Sequence, residues 1–161
     1  MNYLNEIEDE ITDLGFGIIS KDFERPWGGF LVIDENQSKK FITKFFKNFD
    51  FSKIKNLKKL SPKLLIIKPK SKLSWQYHNR RSEIWKIIKG KVGVAKGKED
   101  VEPLTKEFFE GDYIFIEKKE RHRLIGLNVY CLIAEIWVHI DQKNPSNEMD
   151  IIRLKDEYNR T

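Results

Sequence analysis

Cysteine is almost missing: Cys131 stands alone among 161 residues. No internal disulfide is available and no cysteine-based metal site can be assembled, which fits a reducing compartment. The opening stretch MNYLNEIEDEITDLG is acidic and lacks the basic start and apolar core of a secretory leader, and no apolar run approaches the length of a membrane span. The expected setting is cytoplasmic, away from membranes. Low-complexity linkers and internal repeats are also missing. The 30 Lys and Arg outnumber the 25 Asp and Glu for a net charge of +5, but they are spread along the chain. Such a balance suits anionic substrates, and without a concentrated basic face or a nucleic-acid motif, nucleic acid is not an expected partner.

What is present argues for one folded domain. The length is that of a single domain able to bury a core, and 40% hydrophobic residues, with eleven Phe and four Trp, can fill a barrel or sandwich. Leu4, Ile7, Ile11 and Leu14 recur at helical spacing between a possible Asn2 cap and Gly15. After them, a short strand over 16–20 leads into the turn Glu24-Arg25-Pro26-Trp27-Gly28-Gly29. Residues 30–34 and 40–46, rich in β-branched and aromatic side chains, read as strands, and 47–60 as a loop or short helix. Further strands are expected over 63–69, 73–78, 83–89, 90–96, 104–109, 113–116, 122–125 and 129–139. Many short strands with regular turns, and no helices between them, indicate an all-β barrel or sandwich rather than a parallel α/β fold. A final helix is expected over 148–158, with Ile151, Ile152 and Leu154 docked on the body.

The chemistry concentrates in KSKLSWQYHNRRSEIWKIIKG, residues 70–90. Read as a strand, turn and strand, it sends Gln76 and His78 to one face, and Glu83 faces them across a hairpin. His122 joins them if its strand lies alongside. An amide oxygen, a carboxylate and two imidazoles suit a divalent ion with open positions, and from spacing alone they suit a polar hairpin surface equally well.

The pattern Gln76-x-His78, four residues, Glu83, six residues, Gly90 resembles the first motif of the cupins, with Gln in place of the usual first His. Gly111 followed by His122 resembles the second motif, although Glu117, Lys119 and Gly126 replace its usual Pro, Gly and Asn. A finer resemblance is to the cupin domain of type II mannose-6-phosphate isomerases. It rests on Glu24-Arg25-Pro26-Trp27-Gly28, on Leu73-Ser74-Trp75-Gln76-Tyr77-His78 with Arg81, Glu83 and Trp85, and on the closing block from Asp150 to Arg160. Asn79 and Arg80 stand where that family commonly has further His residues, and Asn159 stands for a Gly. No guanylyltransferase domain accompanies these blocks, so that second activity is not expected.

The resemblance implies an all-β cupin double-stranded β-helix, or jelly-roll barrel, occupying 1–161 as one domain. Its parts would be an N-terminal helix and lead-in over 1–23, the barrel over 24–140 and a helical tail over 141–161. It implies Gln76, His78, Glu83 and His122 as ligands of one divalent metal (Zn, Mn, Co, Ni or Fe), and a homodimer. The activity implied is isomerisation of a sugar phosphate, mannose-6-phosphate to fructose-6-phosphate. Phosphate would be gripped by Arg25, Arg81, Arg153 and Arg160, whose planar forks suit it. Trp27 and Trp85 would floor the sugar, and Glu135, on the inward parity of the last long strand, is the candidate base with Arg81 beside it. The alternatives are a sugar-phosphate sensor without turnover or another cupin enzyme: a phosphoheptose isomerase, an epimerase or an oxygenase.

Overall fold

The first helix, α1 (Tyr3–Asp13), begins where the Asn2 side chain accepts a hydrogen bond from the Leu4 amide, and it buries Leu4, Ile7 and Ile11. The computed structural model describes residues 2–54 and 57–161. Two strands follow, β1 (Ile18–Arg25) and β2 (Gly28–Ile33), joined at Pro26-Trp27. Gly28 is required at this turn: its φ is +143° and a Cβ there would lie 1.9 Å from the Ile66 carbonyl oxygen.

The segment expected as a strand over 40–46 is instead helix α2 (Ser38–Phe45). Its aromatic content misled, because the buried pair Phe41 and Phe45 are four residues apart, on one helical face. Part of the expected loop or short helix over 47–60 lies outside the described residues; within them Phe51–Lys53 is a single 3-10 turn.

The remaining strands are β3 (Leu60–Ile67), β4 (Trp75–Tyr77), β5 (Arg81–Lys89), β6 (Lys91–Gly97), β7 (Lys106–Phe109), β8 (Tyr113–Ile116), β9 (Arg121–Gly126), β10 (Cys131–His139) and β11 (Ile152–Lys155). They form two antiparallel sheets, β1-β2-β3-β10-β5-β8 and β11-β4-β9-β6-β7. The fold is an all-β barrel of two facing antiparallel sheets carrying short helices, and among the described residues no helix is long and apolar enough to cross a membrane.

Strand parity divides the larger sheet. Leu31, Ile33, Leu64, Ile66, Leu132, Ala134 and Ile136 face outward and pack with Leu4, Ile7, Ile11, Phe41 and Phe45 beneath the helices. Leu65, Ile67, Trp85, Ile87 and Ile133 face inward to meet Val92, Val94 and Leu124 of the smaller sheet. With both faces covered, all nine residues of β10 are buried.

Two further expectations are corrected. Residues 73–89 do not form a hairpin: β4 pairs with β9 and β11 in one sheet, whereas β5 pairs with β10 and β8 in the other. The chain crosses between sheets at Asn79-Arg80, and the Asp150 carboxylate holds that corner by accepting from both amides, at 3.0 and 2.9 Å. The tail expected as a helix over 148–158 is extended instead, its Ile152–Lys155 strand pairing with β4. Its period is two: Ile151 and Arg153 face the cavity, while Ile152 and Leu154 are exposed. Asn159 then adopts φ +54°, a left-handed turn that Asn tolerates and that accounts for glycine at this place in the resembling motif.

Replacing the fully buried Phe41 with Ala should destabilise the protein by about 3–5 kcal/mol, read from the urea midpoint at constant slope. An exposed edge-strand phenylalanine would cost far less, so a shift near zero would argue against the helical placement.

Candidate metal centre

His78, Glu83 and His122 offer ligand atoms that all lie within 4.8 Å of one another, and all three residues are buried. They come from different walls. His78 follows β4, His122 lies on β9 directly opposite Gln76, and Glu83 projects from β5. Crossing between sheets, rather than a hairpin, brings them together.

Both imidazoles are held through Nδ1. His78 Nδ1 is 2.6 Å from the Asp150 carbonyl oxygen and His122 Nδ1 is 2.9 Å from that of Glu120. A carbonyl only accepts, so each Nδ1 carries the proton and each Nε2 lone pair points into the centre, the orientation that backbone carbonyls impose on metal-binding histidines. Burial, reinforced by the Arg81 charge and opposed by Glu83, pushes the His78 pKa down to about 3. Burial likewise lowers His122. Both rings are therefore neutral at physiological pH.

Burial works to raise Glu83, but the adjacent Arg81 guanidinium outweighs it and holds the carboxyl well below its usual range. Arg81 Nε donates to Glu83 Oε1 at 2.7 Å, and Trp85 Nε1 donates to Oε2 at 3.1 Å. Glu83 Oε1 is 3.2 Å from His78 Nε2, and Oε2 is 3.6 Å from His122 Nε2.

This set fits a divalent cation. His122 Nε2 is buried without a hydrogen-bond partner, an unusual expense for a nitrogen whose lone pair faces an ionised carboxylate. Two neutral imidazoles and one carboxylate form a set typical of borderline divalent ions. Gln76 sits beside them with Nε2 3.4 Å from His78 Nε2, while its Oε1 accepts from Ser74 Oγ. A half-turn of the amide presents the oxygen to the centre instead.

The centre backs onto a cavity of about 490 Å³ whose lining includes Gln76, Glu83, Trp85 and Glu135. Glu135 is directly opposite Trp85 in the sheet register, and Trp85 Nε1, 3.0 Å from Glu135 Oε1, spans the two acids. Burial, followed by repulsion from Glu83, raises the Glu135 pKa to about 8.

The remaining residues expected at the site also line this cavity, in different states. Trp27 is buried at its edge, and Trp85 is buried in its floor. Arg81 is fully engaged: besides Glu83, it reaches Ser146 Oγ at 2.8 Å and His78 Nε2 at 3.1 Å, with its guanidinium 3.7 Å from the Trp137 ring centre. Arg25 pairs with Asp22 at 2.8 Å, Arg160 forks onto Asp156, and Arg153 donates to the Thr161 carbonyl oxygen.

Sequence reasoning missed Lys63, Trp137 and Asp150. Trp137 shares the parity of Glu135 and so left a legible trace, whereas Lys63 heads the apolar run 64–67 and reads as its polar edge. The dual role of Asp150 left none, because it depends on where the tail docks. His139 is buried and structural, accepting from the Ser146 amide at 2.9 Å and lying 2.6 Å from Ser61 Oγ.

A cupin barrel with two imidazoles and a carboxylate gathered at its cavity is the class these features define. Residues 18–156 match the family model described as mannose-6-phosphate isomerase C-terminal, and the chain belongs to that family. Over 137 residues it is 29% identical to the xanthan biosynthesis protein XanB of Xanthomonas campestris pv. campestris, in two strains, covering 85% of this chain and 23% of XanB. The chain thus spans about a quarter of the length of these curated relatives. Among solved structures, hazelnut (Corylus avellana) vicilin superposes over 87% of this chain and 34% of its own, with a TM-score of 0.55 at 17% identity, a likeness of fold. A sugar phosphate isomerase of the cupin superfamily from Silicibacter pomeroyi gives a TM-score of 0.43 at 12% identity, over 50% of each chain.

Replacing His78 or His122 with Ala should strip bound metal from the purified protein, measured by elemental analysis; metal retained in both variants would remove them from the ligand set. Chelator-treated protein should lose stability as pH rises from about 6.5 to about 8, where His78 and His122 are neutral in both states and native Glu135 keeps a proton that the unfolded chain has released. Glu135→Gln should abolish that slope in denaturant titrations.

Proposed function

We propose that the chain is a metal-dependent aldose–ketose isomerase acting on a sugar phosphate, with mannose-6-phosphate and fructose-6-phosphate as the pair. The observation that carries this reading is the pairing of an ionised Glu83, set between two neutral imidazoles, with Glu135 protonated near neutrality in the same cavity. Family membership supports the sugar-phosphate class.

His78, Glu83 and His122 would hold the ion, with Gln76 as a fourth donor; Zn, Mn, Co, Ni and Fe all suit these atoms. A bound divalent ion supplies Lewis acidity toward the adjacent carbonyl and hydroxyl oxygens of a sugar. The conversion moves a proton from C2 of the aldose to C1 of the ketose, while the hydroxyl proton passes from O2 to O1. Glu135 is the group we assign to the carbon-bound proton, since its pKa of about 8 lets it exchange protons near neutral pH. Trp85 positions it by donating to both carboxylates. Arg81 keeps Glu83 ionised, and the arginines at the cavity rim, Arg25, Arg153 and Arg160, favour an anionic end on the substrate.

Incubation of the metal-loaded protein with mannose-6-phosphate, and separately with sedoheptulose-7-phosphate, in deuterated water should yield the corresponding ketose or aldose by NMR. No product with any of several divalent ions in a filled site would leave a sensor or another cupin enzyme. Arg81→Lys should lower kcat by about 10–100-fold, because a single ammonium cannot replace the fork that touches Glu83 and His78.

A further inference from the structure

Lys63 is the buried cation of the cavity that sequence reasoning passed over. It lies on β3 directly opposite Glu135, so the inward row across the sheet reads Lys63, Glu135, Trp85. Its ammonium is 4.0 Å from the Phe30 ring centre and 4.6 Å from that of Trp137, contacts that hold it against the wall.

Its counter-ion is Glu148, and the pair is lopsided: the Lys63 side chain is 8% exposed, that of Glu148 55%. A half-exposed carboxylate can turn into water at little cost, whereas a buried ammonium cannot be left without an anion. The neighbouring cations differ. Arg81 is held by Glu83 and Ser146, Arg160 by a fork on Asp156, and Arg25 by Asp22. Arg153 is half-buried and already donates to the Thr161 carbonyl oxygen, so among the buried cations of the cavity Lys63 is the one whose partner can most easily be exchanged.

We propose that Lys63 is the phosphate-gripping residue of this cavity, and that an incoming phosphate displaces Glu148 from it. The inference rests on the sugar-phosphate reading and names the residue that selects for the phosphorylated end. The spacing suits the task, since Lys63 lies two strands from Trp85 in register, about 9.5 Å across the sheet, with Glu83 two residues further along β5. A short sugar chain can reach from the ligand cluster to an ammonium at that separation. Glu148 also lines a second cavity of about 320 Å³, open to solvent, whose wall includes Ser20, Ser61, Asn147 and Trp137. The displaced carboxylate therefore has an open side to turn towards, and the exchange needs no rearrangement of either sheet.

The test is calorimetric titration of inorganic phosphate into the metal-loaded full chain and its Lys63→Met, Lys63→Arg and Glu148→Gln variants. Lys63→Met should weaken binding by about tenfold or more, Lys63→Arg should retain most of it, and Glu148→Gln should tighten it by about threefold. Opposite signs for the two halves of one ion pair are what a merely structural pair would not give. Glu148 sits on the rim, so its variant remains informative even where Lys63→Met fails to fold. Phosphate affinity indifferent to Lys63→Met, weaker binding in Glu148→Gln, or no phosphate binding by the unaltered protein would each overturn the proposal. Phosphate gripped through Lys63 without turnover would remove the isomerase and leave this inference standing. Turnover with an affinity insensitive to Lys63 would remove this inference alone.

Discussion

An ionised carboxylate at 2% exposure is the constraint around which the cavity is built. Glu83 cannot remain charged inside a barrel unless donors meet it from several directions. Arg81 supplies the charge and Trp85 an N–H, and together they keep Glu83 ionised beside the unprotonated ε-nitrogens of the two imidazoles. Arg81 must itself be aimed, and Ser146 does this from the segment beyond β10. Ser146 in turn donates to Asp150, whose carbonyl orients His78 and whose carboxylate holds the corner between the sheets. The demand of one buried charge is thus passed outward until it reaches the docking of the tail.

Much of this was legible in the residues themselves. Gln76, His78, Glu83 and His122 stood out by spacing and resemblance, and the arginines and tryptophans picked with them do line a common cavity. The barrel was legible because turns and β-branched runs alternate so regularly. What failed was local reading where long-range pairing decides. Residues 40–46 carry strand-like composition, but the spacing of Phe41 and Phe45 serves a helix lying on the larger sheet. The tail around Ile152 offers few helical contacts and gains hydrogen bonds along β4 instead. Residues 73–89 look like a hairpin in isolation, and the partners that separate β4 from β5 lie more than thirty residues away in sequence, at His122 and Ile133.

The roles of Lys63 and Asp150 were hidden for the same reason. A lysine beside Leu64 and Leu65 reads as the polar edge of a strand until Glu135 is seen opposite it. An aspartate within an expected helix gives no sign that its carbonyl will rest on a histidine ring.

The double covering of β10 carries a consequence for divergence. Even-numbered positions such as Ala134 and Ile136 are committed to the helical layer, and odd-numbered positions such as Glu135 and Trp137 to the cavity. A one-residue slip would exchange these sets, driving a carboxylate into an apolar layer and turning alanine toward the cavity. Insertions and deletions in this strand are therefore closed to evolution, whereas single replacements at alternate positions leave the helical side untouched. A lineage can retune what the cavity accepts one odd-numbered residue at a time while the architecture beneath stays the same.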